Sequence, residues 1–255
     1  MSTYDHIAID RKGSSGIILL NRPEAMNALE SGMLLQLESA LGELEKDEPV
    51  RVIIITGGKN FCAGADIREM RDMNPQEAGE FAALGHRVFD RIENCAKPVI
   101  AAIAGYALGG GCELALACDI RIAGESARLG QPEVKLGLVP GFSGAQRLAR
   151  LVGTSRSKEL VLTGKIVDSN EAEFIGLINR VVPDPELMKK AEETALLIAQ
   201  ASPHAVKLAK ELANRYSAMT GELSSMDIEA FVKCYESAEH IEGMNAFLEK
   251  RKAKF

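Results

Sequence analysis

The chain has 255 residues, 46% of them hydrophobic and 26% charged, a composition suited to a globular protein with a sizeable core. Its formal net charge of −6 excludes attraction of the whole protein to nucleic acid or an anionic membrane, so a phosphorylated ligand needs a local basic patch. No apolar run approaches the ~20 residues of a membrane span, and the polar start Met1-Ser-Thr-Tyr-Asp-His6 lacks the pattern of a signal peptide.

In chain order, His6 to Asp10 and Gly16 to Asn21 read as two strands around the turn Gly13-Ser-Ser-Gly16. Ser31 is placed to N-cap a helix carrying Leu34, Leu37, Leu41 and Leu44 on one face. Val50 to Thr56 reads as a buried strand ending at Gly57-Gly58. A helix from Gln76 to Asn94 turns Phe81, Leu84, Val88 and Ile92 inward, and Pro98 to Ala104 and Asp119 to Ala123 are further apolar strands. This alternation predicts stacked βαβ-type units up to about residue 130. From Ser143 onward the pattern is helical, apart from a short apolar run at Leu177 to Val182. Helical faces recur at Leu187 to Ala201, Ala205 to Tyr216 and Met226 to Tyr235, with Asp184-Pro185 marking a helix start and Ser202-Pro203 a break. Neither an internal repeat nor a low-complexity linker is visible. The expected organisation is an α/β core over residues 1–195 and a helical region over 196–255.

Five cysteines, Cys62, Cys95, Cys112, Cys118 and Cys234, leave one over in any full pairing and form no Cys-x-x-Cys, which points to free thiols in a reducing compartment. The histidines His6, His86, His204 and His240 stand singly, with no spacing that suggests a metal site. The expected location is the cytoplasm, or the mitochondrial matrix for a processed eukaryotic form.

Three segments carry possible chemistry. Gly109-Gly110-Gly111 precedes the apolar helix Cys112–Cys118, and glycines at a helix start expose N–H groups at the positive dipole end. A close-packed turn without a ligand explains them equally well. Neither a dinucleotide fingerprint nor a phosphate loop occurs. Ser143, in Gly141-Phe-Ser-Gly144, lacks the spacing of a nucleophile elbow and reads as an N-cap. Glu113 and Glu133 each suit the first turn of a helix, where an acid complements the dipole, and Asp66 suits the N-cap of Ile67–Met70. As a pair, however, two carboxylates share acid and base work, and the glycines beside them let backbone N–H groups approach an oxygen that becomes negative.

Together these segments resemble the enoyl-CoA hydratase (crotonase) family. The likeness rests on Phe61-Cys-Ala-Gly-Ala-Asp-Ile-Arg-Glu-Met70, Ala107-Leu-Gly-Gly-Gly-Cys-Glu113 and Gly130-Gln-Pro-Glu-Val-Lys-Leu-Gly137. Leu20-Asn-Arg-Pro23, Pro140-Gly-Phe-Ser-Gly144 with Gln146-Arg147, and Phe247-Leu-Glu-Lys-Arg251 extend it from about Tyr4 to Phe255. The resemblance implies an α/β fold, a crotonase-like spiral of ββα units with a helical C-terminal trimerisation region, assembled as a homotrimer or a homohexamer. It implies a hydro-lyase that adds water to trans-2-enoyl-CoA, with no cofactor or metal, coenzyme A being part of the substrate, and with no nucleic-acid or membrane partner. An isomerase of the same fold, or a hydratase for branched or cyclic acyl groups, is the alternative. An RNA-binding relative fits less well, because Ser31 to Asp47 sets Glu38, Glu43, Glu45 and Asp47 against Lys46 alone.

Residue by residue, the resemblance makes Ala65 and Gly110 the oxyanion-hole donors, Glu113 the group that orients and deprotonates water, and Glu133 the acid that protonates C2. It assigns acyl-CoA contacts to Arg22, Ala63, Ala65, Asp66, Ile67, Arg68, Gly110 and Gly141, and contacts with the nucleotide end to Phe247 and Lys250, within the basic end Lys250-Arg251-Lys252 and Lys254. Three positions depart from the family's habit: Arg68 stands where lysine is frequent, and Ser143 and Ala145 where glycine and threonine are.

Overall fold

The computed structural model describes residues 4–218, 228, 231–232, 234–236, 238–251 and 253. Strand β1 (Ile7–Lys12) turns at Gly13, whose φ of +61° is left-handed, and pairs antiparallel with β2 (Ser15–Leu20). Every later pairing in this sheet is parallel: β2 with β3 (Val52–Thr56), β3 with β4 (Val99–Ile103), β4 with β6 (Ile120–Gly124), and β6 with β9 (Arg180–Val182). The order is therefore β1-β2-β3-β4-β6-β9.

Parallel strands require crossovers, and here these are α1 (Ser31–Lys46), α3 (Pro75–Glu93) and α4 (Gly110–Ala117), with the short α2 (Ile67–Met70) ahead of α3. Both faces of the sheet are covered, which explains why β3 reads as the unbroken run Val-Ile-Ile-Ile-Thr. Ile53 and Ile55 enter the main core with Leu34, Leu37, Phe89 and Leu114. Val52 and Ile54 point the other way, joining Ile17, Ile100 and Ile122 against Leu187, Ala191 and Ala195 of α8 (Leu187–Ala199). Period-2 alternation thus feeds two cores, each buried aliphatic contributing about 1.5–3 kcal/mol.

A second sheet has signals too short for sequence patterning. It joins β5 (Tyr106–Leu108), β7 (Arg128–Gly130) and β8 (Ile166–Asp168), of three residues each, β5 parallel to β7 and β7 antiparallel to β8. The chain steps from large sheet to small sheet to helix: β4, β5, then α4, and next β6, β7, then the 3-10 turn Glu133–Leu136. One turn earlier, β3 leads to Cys62, which bridges to Ala107 of β5 in place of a strand. The fold is thus the expected spiral of ββα units, a structural repeat without a sequence repeat. Ala65, then Gly110 and Glu113, then Glu133 follow the small-sheet position of three consecutive turns.

Helices α5 (Gly144–Val152), α6 (Thr154–Thr163), α7 (Ser169–Phe174), α8, α9 (Pro203–Ala218) and α10 (Glu239–Leu248) complete the described chain. The division expected between residues 195 and 196 falls inside α8. Lys210 of α9 reaches back to Asp119 Oδ2 at 2.7 Å, and Asp119 Oδ2 also accepts the Val99 N–H that begins β4. Half of the helical face expected at Met226 to Tyr235, together with Lys252 and Lys254, lies outside the described residues. Among the described residues no helix is long and apolar enough to cross a membrane.

One capping expectation is corrected, and one holds in position only. Glu30, not Ser31, is the N-cap of α1, and Ser31 instead gives its N–H and hydroxyl to the Glu69 carboxylate at 3.0 and 2.6 Å. Ser143 is the N-cap residue of α5 as expected, but its side chain makes no capping bond: its φ is +67°, and its Oγ bonds His86 Nδ1 at 2.8 Å. In both cases a residue distant in sequence outcompetes the local backbone for the hydroxyl.

Candidate active site

The first wall is the turn Cys62 to Asp66. It is sewn to the loop before α1 by Ala63 N–H to Met26 O (3.0 Å), Leu29 N–H to Gly64 O (2.8 Å) and Asp66 N–H to Leu29 O (2.7 Å). These bonds alternate along the turn, so the Ala65 N–H faces away from Leu29, and no acceptor takes it among the described residues. Asn27, buried and unnoticed in the sequence, braces the loop beneath by giving its Nδ2 to the carbonyls of Gly57, Asn60 and Phe61. Asp66 caps α2 as expected, accepting the Arg68 N–H at 2.9 Å.

The second wall is the start of α4. Leu108 N–H bonds Cys62 O (3.1 Å) and Gly109 N–H bonds Gly130 O (2.9 Å), which ties the glycine run to the turns before and after it. Gly110 is the first residue of the helix, so its N–H has no intrahelical acceptor and points along the positive end of the dipole. The two expected donors are neighbours: a Cβ built on Gly110 would lie 3.2 Å from the Ala65 nitrogen. Gly109 has φ +50° and ψ −125°, a conformation reserved for glycine, and a Cβ there would meet Glu133 Oε1 at 2.9 Å.

The two glutamates border one cavity of ≈ 60 Å³, enough for a water between them. Their surroundings differ. Glu113 is 1% exposed, and its Oε1 accepts two backbone N–H groups, from Phe142 at 2.8 Å and Gly144 at 2.7 Å. Both bonds favour the ionised form. Glu133 presents two buried carboxylate oxygens with no hydrogen-bond partner among the described residues. Burial first, and the charge of Glu113 second, hold its carboxyl well above the ordinary value of 4.5. One cavity therefore borders a carboxyl group whose hydrogen bonds favour its charged form and another whose burial favours its neutral form.

Of the other residues expected to touch substrate, Ala63, Ala65, Ile67, Gly110 and Gly141 line the same cavity, with Met70, Leu138, Val139, Phe142 and Phe231 supplying apolar wall. The Arg22 guanidinium is committed to Asp66 Oδ2 at 2.6 Å and Glu30 at 3.2 Å. Arg68 is exposed, and its guanidinium has no partner among the described residues, as is true of the Lys250 ammonium. Phe247, 57% exposed, lies outside the cavity lining, as does Lys250. Sequence reading missed Phe142 and Gly144 as the donors to Glu113, because donation by a backbone N–H leaves no mark on residue type. No group of three or more His, Cys, Asp or Glu that could hold a metal ion occurs among the described residues.

A family profile described as Enoyl-CoA hydratase/isomerase matches residues 10–255. The chain is 46% identical over 251 residues to the short-chain-enoyl-CoA hydratase of Clostridium acetobutylicum, covering 97% of this chain and 96% of that protein. It is 45% identical to the crotonyl-CoA hydratase of Syntrophomonas wolfei, covering 99% and 98%. In structure it is similar to an enoyl-CoA hydratase from Bacillus anthracis, with a TM-score of 0.80 and 39% identity over 98% of this chain and 99% of the other.

Proposed function

From the membership of this chain in the enoyl-CoA hydratase/isomerase family, we infer that it is an enoyl-CoA hydratase, adding water across the double bond of trans-2-enoyl-CoA to give 3-hydroxyacyl-CoA. The observation that carries the reading beyond family is the split pair: Glu113 under two amides and Glu133 buried with none. Hydration needs one base and one acid at adjacent carbons, and an unsplit pair supplies two of the same kind.

The thioester carbonyl lies on the Ala65 and Gly110 N–H groups. Ionised Glu113 takes a proton from water as its oxygen bonds C3, and the C2–C3 π electrons move toward the carbonyl, where negative charge collects. The two donors are already oriented, so this charge is stabilised without reorganisation. Protonated Glu133 then delivers its proton to C2. The step leaves Glu113 protonated and Glu133 ionised, and one proton passing between them restores the pair. No metal or cofactor takes part in this scheme. The cations Arg68 and Lys250, without a partner among the described residues, are assigned to the phosphates of coenzyme A, whereas Arg22 acts through Asp66 on the oxyanion turn. The names of the relatives favour short acyl chains. The exposed Leu197 and Leu212 on α8 and α9 suit assembly as trimers or paired trimers.

The test is a panel of C4 to C16 trans-2-enoyl-CoAs followed by loss of enone absorbance, repeated with Glu113→Gln and Glu133→Gln. Each substitution is expected to lower kcat by ~10²- to 10⁴-fold with KM little changed. A glutamine variant that hydrates crotonyl-CoA at near the wild-type rate overturns the paired-carboxylate reading.

A further inference from the structure

The turn that serves Glu113 is built on α3. A Cβ on Gly85 would lie 2.2 Å from the Phe142 ring, so only glycine admits that ring, which Phe81 and Phe89 then hold edge-on at centroid distances of 5.4 and 5.3 Å. Asp90 and Glu93 grip Arg147 at 2.6 and 2.8 Å, and Arg147 donates to Phe142 O at 2.7 Å. These contacts fix Phe142. The remaining corner is Ser143, between the two donors, with φ +67°. A side chain in the left-handed region costs conformational energy, and the turn needs that conformation to send the N–H groups on both sides of Ser143 to one oxygen.

We propose that Ser143, held by His86, is a positioning residue for the reaction: the Oγ···Nδ1 bond of 2.8 Å locks the left-handed corner and so keeps the Phe142 and Gly144 amides on Glu113 Oε1. His86 and Ser143 are both buried, at 3% and 6% exposure, so water does not compete for the bond. Of the charged groups facing the imidazole, Asp90 on its own helix favours its protonation and Arg147 on α5 opposes it; burial first, with Arg147, outweighs Asp90 and pushes His86 down to about 4, so the ring stays neutral at physiological pH. Glycine takes a left-handed corner without strain. This chain has serine instead, and the hydroxyl–imidazole bond restores what the missing glycine would supply.

The proposal rests on the reading of Glu113 as the base, and a variant series separates the two. Ser143→Ala keeps the strain and removes the bond. It is expected to fold, to lose about tenfold in kcat, and to move the acidic limb of the kcat/KM–pH profile upward, because a carboxylate with weaker amide donors holds its proton to higher pH. Ser143→Gly is expected to recover at least half of that loss on a logarithmic scale and to return the acidic limb toward wild type. His86→Phe should mimic Ser143→Ala, and the double variant should lose no more than the worse single one. Wild-type kcat and acidic limb in Ser143→Ala, lost kcat with an unmoved limb, or additive losses in the double variant overturn the proposal. If Glu113→Gln remains active, it is the reading of Glu113 that falls. If Glu113→Gln is dead and Ser143→Ala is wild type, the positioning role alone falls.

Discussion

Glu133→Gln separates stability from catalysis in a way the structure makes quantitative. In the folded protein burial and the neighbouring Glu113 keep the carboxyl protonated well above 4.5, while in the unfolded chain it ionises near that value. Between the two pKa values the folded state binds one more proton than the unfolded state. The sign follows: the favourable contribution is complete below the unfolded pKa and is lost as pH rises toward the folded one, at about 1.4 kcal/mol per pH unit. Glutamine does not titrate and keeps the shape. Glu133→Gln should therefore match or fall slightly below wild type near pH 5, then gain on it by about 1.4 kcal/mol for each further pH unit until the folded pKa is passed. The same substitution removes the proposed C2 proton donor, for an expected loss of ~10²- to 10⁴-fold in kcat. Urea denaturation of both proteins at half-unit steps from pH 5 to pH 9 gives the difference directly, with crotonyl-CoA hydration measured on the same samples. Parallel stability–pH curves would refute the account of Glu133 as a buried neutral acid.

Gly109→Ala forces a side chain into φ +50° and sets its Cβ 2.9 Å from Glu133 Oε1, so kcat should fall by about 10²-fold with a lowered Tm; an active, stable variant would show that the glycine run does not place Glu133. Lys210→Met leaves the Asp119 carboxylate facing β4 without its cation, and equilibrium unfolding should show a loss of about 2 kcal/mol, discounted from a fully buried pair because Asp119 keeps 23% of its side-chain surface; no loss would make the pair incidental. Arg68→Glu reverses an exposed charge with no partner among the described residues, so KM should rise, most at low salt, while kcat holds; an unchanged KM would take Arg68 out of the coenzyme A contacts.

Much of this protein is determined locally. The buried strands at Val52–Thr56 and Val99–Ile103, the amphipathic helices at Ser31–Lys46 and Pro75–Glu93, and the glycines at 109–111 all announce themselves in residue type and period. The two glutamates are visible too, although alone each also suits a first-turn acid, and it is the resemblance of the linked motifs that marks them as a candidate pair. The three-residue strands β5, β7 and β8 escape, since period 2 needs more than three residues to be seen, and their pairing comes from neighbours 20 to 40 positions away. The hydroxyls of Ser31 and Ser143 make no capping bond for the same reason, because Glu69 and His86 compete from 38 and 57 residues away. The difference between Glu113 and Glu133 is likewise nonlocal. Both are first-turn acids in sequence; only in the folded chain does the turn at Phe142 and Gly144 bring two amides to one of them and none to the other. The residue types supply two carboxylates, and the difference between their surroundings comes from tertiary structure, because a carboxyl group's proton affinity depends on its solvent and its donors.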